Sequence, residues 1–301
     1  MSKTNKSFIS VEGDDLQARL AAAQTQAHAA SMHRYWAAYK FPVRPNVSVD
    51  AVSTSSLGVE THDGIILGNL GEHQTRSLGV FLSYKERETE PSRVEIYNLE
   101  RERNYEGWPV YWLGEVESSE SLTLLSSLER LTKIETVGGK LVDAIAVHES
   151  PQVEGLLSDL TRSSPLLAVR ATAVFCLGRL ALNLALVEEV AGNSREDIFV
   201  REQAILAIGK SRSPEVLNAL RRLESVVKEQ SLREVIVRAI GKSRHPDAVE
   251  WLKGFAERTD DPGLRRQAQQ QHLKASGKKS RMKEAKRKGC DRKDRGWRLW
   301  R

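Results

Sequence analysis

Cysteine is nearly absent from this 301-residue chain, which contains only two. Cys176 lies in an apolar run and Cys290 in a polar one, so we do not expect a disulfide between them and find no sign of an oxidising compartment. Long apolar segments are also missing, because the longest apolar-like run, residues 180–187, is far too short to span a bilayer. The sequence therefore predicts a soluble, cytoplasmic protein without a transmembrane segment.

Recognisable catalytic and metal-binding patterns are missing as well. The seven histidines are scattered, and no pair has ligand spacing with cysteines or carboxylates on one helical face. The Gly-x-Ser-x-Gly pattern of a nucleophile elbow does not occur. We therefore nominate no catalytic residue, no metal site and no cofactor, and we favour a protein that is not an enzyme.

Positive charge is concentrated at one end of the chain. The formal net charge is +6, but residues 278–301 alone contain twelve Lys or Arg and three Asp or Glu. The preceding residues are therefore mildly acidic. Any inference from basic charge to a polyanionic partner applies to this tail and not to the rest of the chain.

An internal repeat begins after residue 165 and joins an apolar-Arg pair to a Gly eight residues later. The arginines are Arg170, Arg201, Arg233 and Arg265, and the glycines are Gly178, Gly209 and Gly241. The arginines are 31, 32 and 32 residues apart and the glycines 31 and 32, while the fourth copy lacks its glycine. Agreement of two positions on one period indicates a repeating structural unit.

Each repeat reads as two helices, which we call helix A and helix B. Helix A carries the Arg and the Gly, and helix B follows a proline such as Pro214 or Pro246. Helix B is amphipathic, with apolar residues at helical spacing, and a degenerate earlier copy is predicted over residues 141–160. Two short helices cannot bury their apolar faces alone, whereas stacked copies can.

The repeats resemble the short HEAT-like repeats first named for phycobilisome lyase subunits. Their pattern is roughly Asp-Pro-x-Val-Arg-x-x-Ala-x-x-Ala-Leu-Gly; Asp261 to Arg265 match its start, and Val200 to Gly209 match its middle. The resemblance covers residues 136–275 and implies an armadillo-type α-solenoid. It implies little about function, because such repeats serve many roles.

Residues upstream of the repeats read as a small β domain of no family that we recognise. Short β-rich runs occur near residues 47–49, 64–67, 77–82 and 93–97, and His62-Asp63-Gly64 is a type I′ hairpin signal. We predict an α+β multidomain chain, in which an antiparallel β domain follows a helix over about 14–39 and a helix over about 120–132 leads into the solenoid. The predicted domains are an N-terminal segment (1–43), the β domain (44–118), the solenoid (119–277) and a basic tail (278–301).

Aromatic residues form two clusters in the first 112 residues, at Tyr35 to Phe41 and at Tyr105 to Trp112. They could line a pocket or peptide groove. They could instead form the core of the β domain, where large rings give most of the buried area, and we favour this interpretation. The repeat arginines also have two interpretations. They could form a row that binds an acidic ligand, or they could form ion pairs inside the repeats. We favour the second interpretation because the arginines share one framework position.

The basic tail is the sharpest functional candidate. Its Lys and Arg side chains could neutralise phosphates, and its two Trp side chains could stack on bases or lie at a membrane headgroup layer. It could also be a solubilising extension. The residues nominated for polyanion binding are Lys278, Lys279, Arg281, Lys283, Lys286, Arg287, Lys288, Trp297 and Trp300.

Our leading functional hypothesis is a non-enzymatic adaptor or scaffold that binds another protein through helix B surfaces. The nominated contact residues are Arg221, Arg222, Lys253 and Arg258. A first alternative is a nucleic-acid-associated protein that uses the basic tail. A second, suggested by the resemblance, is a bilin-lyase-like enzyme or enzyme subunit. HEAT-like DNA glycosylases are a poor match, because Trp251 is the only Trp in the repeats.

Overall fold

The computed structural model describes residues 8–54, 60–67, 74–243 and 245–277. Contacts between Cα atoms divide the chain into two compact units, Met1–Asn183 (unit 1) and Leu184–Arg301 (unit 2). Unit 1 contains a mixed sheet and the first helices of the chain, and a run of helices continues through unit 2. This is an α+β layout.

The strands of unit 1 form a five-stranded sheet and a separate two-stranded one. They are β1 (Phe8–Ser10), β2 (Arg34–Phe41), β3 (Val47–Thr54), β4 (Glu60–Leu67), β5 (Leu78–Lys85), β6 (Arg93–Asn98) and β7 (Val110–Glu115). The larger sheet has the order β1-β7-β2-β5-β6, and β3 pairs with β4. β7 runs parallel to both β1 and β2, while the other pairs are antiparallel. The prediction of a purely antiparallel domain was therefore wrong, because hydrophobic alternation carries no information about strand direction.

The predicted helix over residues 14–39 is also corrected. Helix α1 spans Leu16–Ala29, begins at the N-cap Asp15, and ends before Ser31, whose φ is 53°. The chain then enters β2, which lies between β7 and β5 and is buried over most of its length. A strand buried on both faces lacks polar alternation, so its apolar run could not be distinguished from a helix by periodicity.

Two further differences concern strand limits. His62-Asp63-Gly64, predicted as a hairpin turn, lies inside β4, where Gly64 pairs with Ala51 of β3. The short edge strand β1 and the strand β7 were not predicted at all. The four predicted β-rich runs do lie in β3, β4, β5 and β6.

The helices after the sheet begin with α2 (Ser118–Leu131), which confirms the predicted helix over about 120–132. Unit 1 continues with α3 (Glu135–Ala146), α4 (Gln152–Ser163) and α5 (Leu167–Arg179). α3 contacts β6 as well as α2, α4 and α5. It therefore joins the sheet to the helical part of the unit.

Unit 2 alternates between A and B helices at the predicted period. Its helices are α6 (Leu184–Gly192), α7 (Ile198–Lys210), α8 (Val216–Val226), α9 (Gln230–Lys242), α10 (Ala248–Arg258) and α11 (residues 262–277). Repeat arginines lie on α7, α9 and α11, which are A helices. α7 contacts α6, α8 and α9, and α9 also contacts α8 and α10.

The repeat glycines allow successive A helices of unit 2 to approach closely. A Cβ added at Gly209 of α7 would lie 2.7 Å from the Cβ of Ala239 on α9, and one at Gly241 would lie 2.8 Å from the Cβ of Gln271 on α11. Each contact joins the C-terminal parts of two A helices. The A helices therefore run in the same direction, side by side.

Candidate binding surfaces

The repeat arginines of unit 2 are engaged in contacts inside the unit. Arg201 is almost fully buried; its Nε donates to the Ala191 carbonyl (3.1 Å), and its Nη1 and Nη2 donate to the Glu229 carboxylate (2.6 and 3.1 Å). Arg233 Nη2 donates to Glu224 Oε1 at 2.6 Å. The hydrogen bonds from Arg201 lower the pKa of Glu229 to about 2.

The other two repeat arginines bind the carbonyl groups at the end of the preceding B helix. Arg170 Nη1 donates to the Ser164 carbonyl at 2.9 Å, just after α4. Arg265 Nη2 donates to the Thr259 carbonyl at 2.7 Å, just after α10. A cation there satisfies carbonyls that have no partner in the helix and opposes the negative end of its dipole. These contacts support the internal interpretation of the arginine row.

The four nominated contact residues on the B helices differ in their surroundings. Arg222 is held by Glu188, whose Oε1 and Oε2 accept from its Nε and Nη2 at 2.6 and 2.7 Å. Arg221 on α8 and Lys253 on α10 are exposed and lie 32 residues apart, so they occupy the same position in successive repeats. Arg258 lies at the end of α10 and is also exposed.

Arg258 lines an open cavity of about 500 Å³ in unit 2. The lining residues are Glu224, Arg233, Phe255, Arg258, Thr259, Asp260 and Asp261. Three carboxylates and two guanidinium groups share this wall, and Arg233 is already paired with Glu224. The Asp261 carboxylate accepts from the backbone N–H groups of residues 263 and 264, which lowers its pKa. Three of the charged lining groups, Glu224, Arg233 and Asp261, are therefore already engaged inside the unit.

The nominated tail residues, from Lys278 to Trp300, lie outside the described residues. Their number and spacing are known from the sequence alone.

Both aromatic clusters of the sequence contribute to the five-stranded sheet. Tyr35, Tyr39 and Phe41 of β2 point to the face that contacts the helices, and each is buried. Trp36 points to the opposite face, where its ring stacks on Trp108 with centroids 5.9 Å apart.

This opposite face is covered by the connection between β6 and β7. The Tyr105 ring stacks on Phe81 at 5.1 Å, and the Tyr105 carbonyl accepts a hydrogen bond of 3.2 Å from Trp36 Nε1. Three guanidinium groups lie over rings of this cluster: Arg34 over Trp108 (5.0 Å), Arg93 over Trp36 (5.5 Å) and Arg103 over Tyr97 (4.3 Å). The rings pack on one another and on their own loop, as expected for a core.

A buried hydrogen-bonded chain of side chains joins the sheet to the helices of unit 1, and no sequence pattern predicted it. His148 Nδ1 lies 2.7 Å from the Ala144 carbonyl, and His148 Nε2 lies 2.7 Å from Ser121 Oγ. Ser121 Oγ is also 2.9 Å from the Tyr39 hydroxyl, and Phe41 stacks on the imidazole at 3.9 Å. The side chains of Tyr39, Ser121 and His148 are each 0 % exposed.

The directions of the hydrogen bonds among these side chains follow from the Ala144 carbonyl, which lies at one end of the series. A carbonyl can only accept, so Nδ1 of His148 carries the proton and Nε2 is an acceptor. Ser121 must then donate to Nε2, and its oxygen accepts from Tyr39. Every polar atom of the chain is satisfied when His148 is neutral. Burial lowers the pKa of His148 to about 4.

The Ser121–His148 pair has the distance of a nucleophile and its general base, but no substrate could reach it. Both side chains are sealed beneath β2, α2 and α3, so we interpret the pair as structural. Its members lie 27 residues apart, and Tyr39 is 82 residues from Ser121. No local sequence pattern brings such residues together.

A second cavity, of about 380 Å³, lies in unit 1 between β6 and the helices α3 and α5. Its polar lining includes Glu95, Lys140, Asp143 and Thr172. Burial raises the pKa of Asp143 to about 6, against the opposing effect of Lys140, whose Nζ is 3.7 Å from Asp143 Oδ2. The sequence did not point to this site.

Within the described residues, no group of three His, Cys, Asp or Glu side chains is arranged to hold a metal ion. No helix in that part of the chain combines the length and apolar character needed to cross a membrane.

Comparison of the sequence with protein-family models and with curated proteins finds no match.

Proposed function

We propose that this chain is a non-catalytic adaptor that binds a partner protein through the exposed faces of its B helices. The proposal treats the A and B helices as a HEAT-like solenoid. The single observation that carries it is the equivalent placement of Arg221 and Lys253, two exposed cations one repeat apart on α8 and α10. A cytoplasmic location accords with the buried, unpaired thiol of Cys176.

The different surroundings of the arginines in unit 2 support the choice of the B-helix surface. Those at the framework position, such as Arg201, have their hydrogen-bonding groups turned to the interior of the unit. Arg222 is neutralised by Glu188 on the neighbouring B helix. Arg221 and Lys253, in contrast, are exposed, and their charge is directed at solvent.

A pair of cations on two successive B helices fits an acidic protein surface or segment. Rim charges of this kind steer association and set specificity more than they add affinity. We therefore expect salt-sensitive capture of the partner, with a strong effect of reversing both charges.

The experiment is affinity capture with the full chain and with a double variant, Arg221→Glu and Lys253→Glu. The matched control is Lys210→Glu with Lys242→Glu, which changes the same amount of charge at the ends of A helices. Each protein is used with and without nuclease, after circular dichroism has shown that its helical content is unchanged. Loss of the same captured proteins from the first variant alone, regardless of nuclease, supports the adaptor. Equal retention by both variants contradicts it.

A further inference from the structure

The cavity of about 380 Å³ in unit 1 lies at the edge of the larger sheet. β6 is the last strand of that sheet, and β5 is its only partner among the described strands. α3 packs beside β6, and α5 packs against α3. Sites for small molecules have volumes of about 300–1,000 Å³, so this cavity is large enough for a small organic ligand.

Three of the five charged side chains that line the cavity are already engaged with protein groups. Arg93 Nε donates to Glu95 Oε1 at 2.8 Å. The Glu135 carboxylate accepts from the backbone N–H groups of residues 167 and 168, in the first turn of α5, at 3.1 and 2.6 Å. The charges of these three side chains are therefore largely balanced before a ligand enters.

The other two charged side chains, Lys140 and Asp143, lie one turn apart on α3 and are only loosely paired. Lys140 Nζ is 3.7 Å from Asp143 Oδ2, which is longer than a direct hydrogen bond. Among the described residues, the Asp143 carboxylate has no second cationic or hydrogen-bonding partner. Burial raises the pKa of Asp143 to about 6. A close ion pair lowers the pKa of a carboxyl group, so the loose contact with Lys140 does not offset this burial.

Gly139 keeps the cavity wall between α3 and α5 open. Its neighbour Gly138 is explained by close packing, because a Cβ there would lie 2.6 Å from Val169 Cγ2. A Cβ at Gly139 would make ordinary contacts instead, 3.4 Å from Thr172 Oγ1 and 3.7 Å from Ala168 Cβ. Glycine is unfavourable in the interior of a helix, and packing does not require it at position 139. Its effect is to leave more space in the cavity.

We propose that this cavity binds a free α-amino acid with an aliphatic side chain. The ligand ammonium group pairs with Asp143 and the ligand carboxylate with Lys140, so that opposite charges alternate around the site. An amine without a carboxylate would face the like charge of Lys140, and a carboxylate without an amine would face Asp143. A zwitterion matches both groups and brings no net charge into a partly buried space. The apolar lining residues Val94, Val137 and Ala168 fit an aliphatic side chain.

The test is isothermal titration calorimetry of the full chain at pH 7.5 with L-leucine and with two analogues that each lack one charge. Isoamylamine has the leucine side chain and the ammonium group but no carboxylate. Isocaproate has the same side chain and the carboxylate but no ammonium group. We expect L-leucine to bind and each analogue to bind at least about tenfold more weakly, because each leaves one charged group of the cavity unmatched.

Two substitutions in the cavity test the same pairing from the protein side. Asp143→Asn and Lys140→Gln should each weaken the binding of L-leucine by about tenfold or more. The matched controls Asp159→Asn and Lys133→Gln remove the same charges from exposed positions outside the cavity and should bind like the wild type. Asp143→Asn should also require more urea to unfold at pH 7.5, because it removes a poorly compensated charge, so its loss of binding would not come from misfolding.

Three outcomes would overturn the proposal. The first is the absence of binding heat with L-leucine at concentrations up to about 10 mM, which would mean that the cavity is not an amino-acid site. The second is an analogue that binds as tightly as L-leucine, which would indicate a site for a single charge. The third is unchanged L-leucine binding in both cavity variants, which would place the ligand elsewhere on the chain.

Discussion

Replacement of His148 by Gln should make the stability of unit 1 less sensitive to acid. His148 is fully buried and neutral, and its pKa of about 4 lies well below the ordinary value of 6.5. The folded state therefore binds fewer protons than the unfolded state between these two pH values. The stability that neutral His148 contributes to unit 1 is fully present above pH 6.5. This contribution is lost as the pH falls from 6.5 through about 4.

The magnitude follows from the two pKa values. Between pH 7.5 and 4.5 the protonation of His148 in the unfolded state should remove about 2–3 kcal/mol from the free energy of unfolding. Gln can still donate to the Ala144 carbonyl and accept from Ser121, but it loses the stacking on Phe41. We expect the variant to be about 1–2 kcal/mol less stable at pH 7.5 and to lose much less than the wild type on acidification.

Titration of Asp143 changes the stability of unit 1 in the opposite direction to titration of His148, so the two contributions have to be separated. Its pKa of about 6 is above the ordinary value of 3.8, so burial of its charge destabilises the fold above about pH 6, and this cost disappears as the pH falls towards 4. Its side chain is 28 % exposed, so solvent weakens the effect. The variant Asp143→Asn removes it, and comparison of both single variants with the double variant separates the two groups.

The assay is urea unfolding at pH 7.5, 6.0 and 4.5, followed by near-ultraviolet circular dichroism of tyrosine. All six tyrosines lie at or before Tyr111, so the signal reports on unit 1. An equal loss of stability on acidification in Asp143→Asn and in the double variant would refute the reasoning, because His148 would then contribute nothing to the difference.

Two further predictions concern unit 2 and are checked by thermal unfolding. Gly209→Ala should destabilise unit 2 by about 1–3 kcal/mol because its new Cβ would lie 2.7 Å from the Cβ of Ala239. The control Gly155→Ala on α4 of unit 1, where the space around the glycine is open, should be neutral or stabilising. Equal effects of the two substitutions would contradict the close approach of the A helices. Arg201→Met should destabilise by about 1–3 kcal/mol because it leaves the buried Ala191 carbonyl without its donor, whereas Arg222→Met, at an exposed pair, should cost less than about 1 kcal/mol. A reversed order would contradict the internal role of the repeat arginines.

The two faces of the five-stranded sheet explain why the aromatic clusters could not be assigned from sequence. Neighbouring residues Tyr35 and Trp36 point to opposite faces, one towards the helices and one towards the loop that carries Tyr105. Both positions are buried, so the strand shows no polar side. A run such as Tyr-Trp-Ala-Ala-Tyr is then consistent with helix or strand, and only the pairing with β5 and β7 decides between them.

The arginines illustrate a second limit. Arg201 and Arg222 are the same residue type in the same unit, yet one is buried against a helix end and the other lies on the surface with a partner. The repeat period correctly distinguished the framework position from the others. It could not show that Glu188 neutralises Arg222, because that partner lies 34 residues away on another helix.

The sequence by itself determined the helical character of the second half of the chain, the period of 31–32 residues and the concentration of positive charge in the tail. These features are local or additive: helical spacing, turn residues and charge can be read within a short window. Only the tertiary structure decided the mixed order of the sheet, the burial of the Tyr39–Ser121–His148 chain and the internal partners of the repeat arginines in unit 2. Each of these depends on which distant segments pack together, and that is set by the sum of many weak contacts across the fold rather than by any one stretch of sequence.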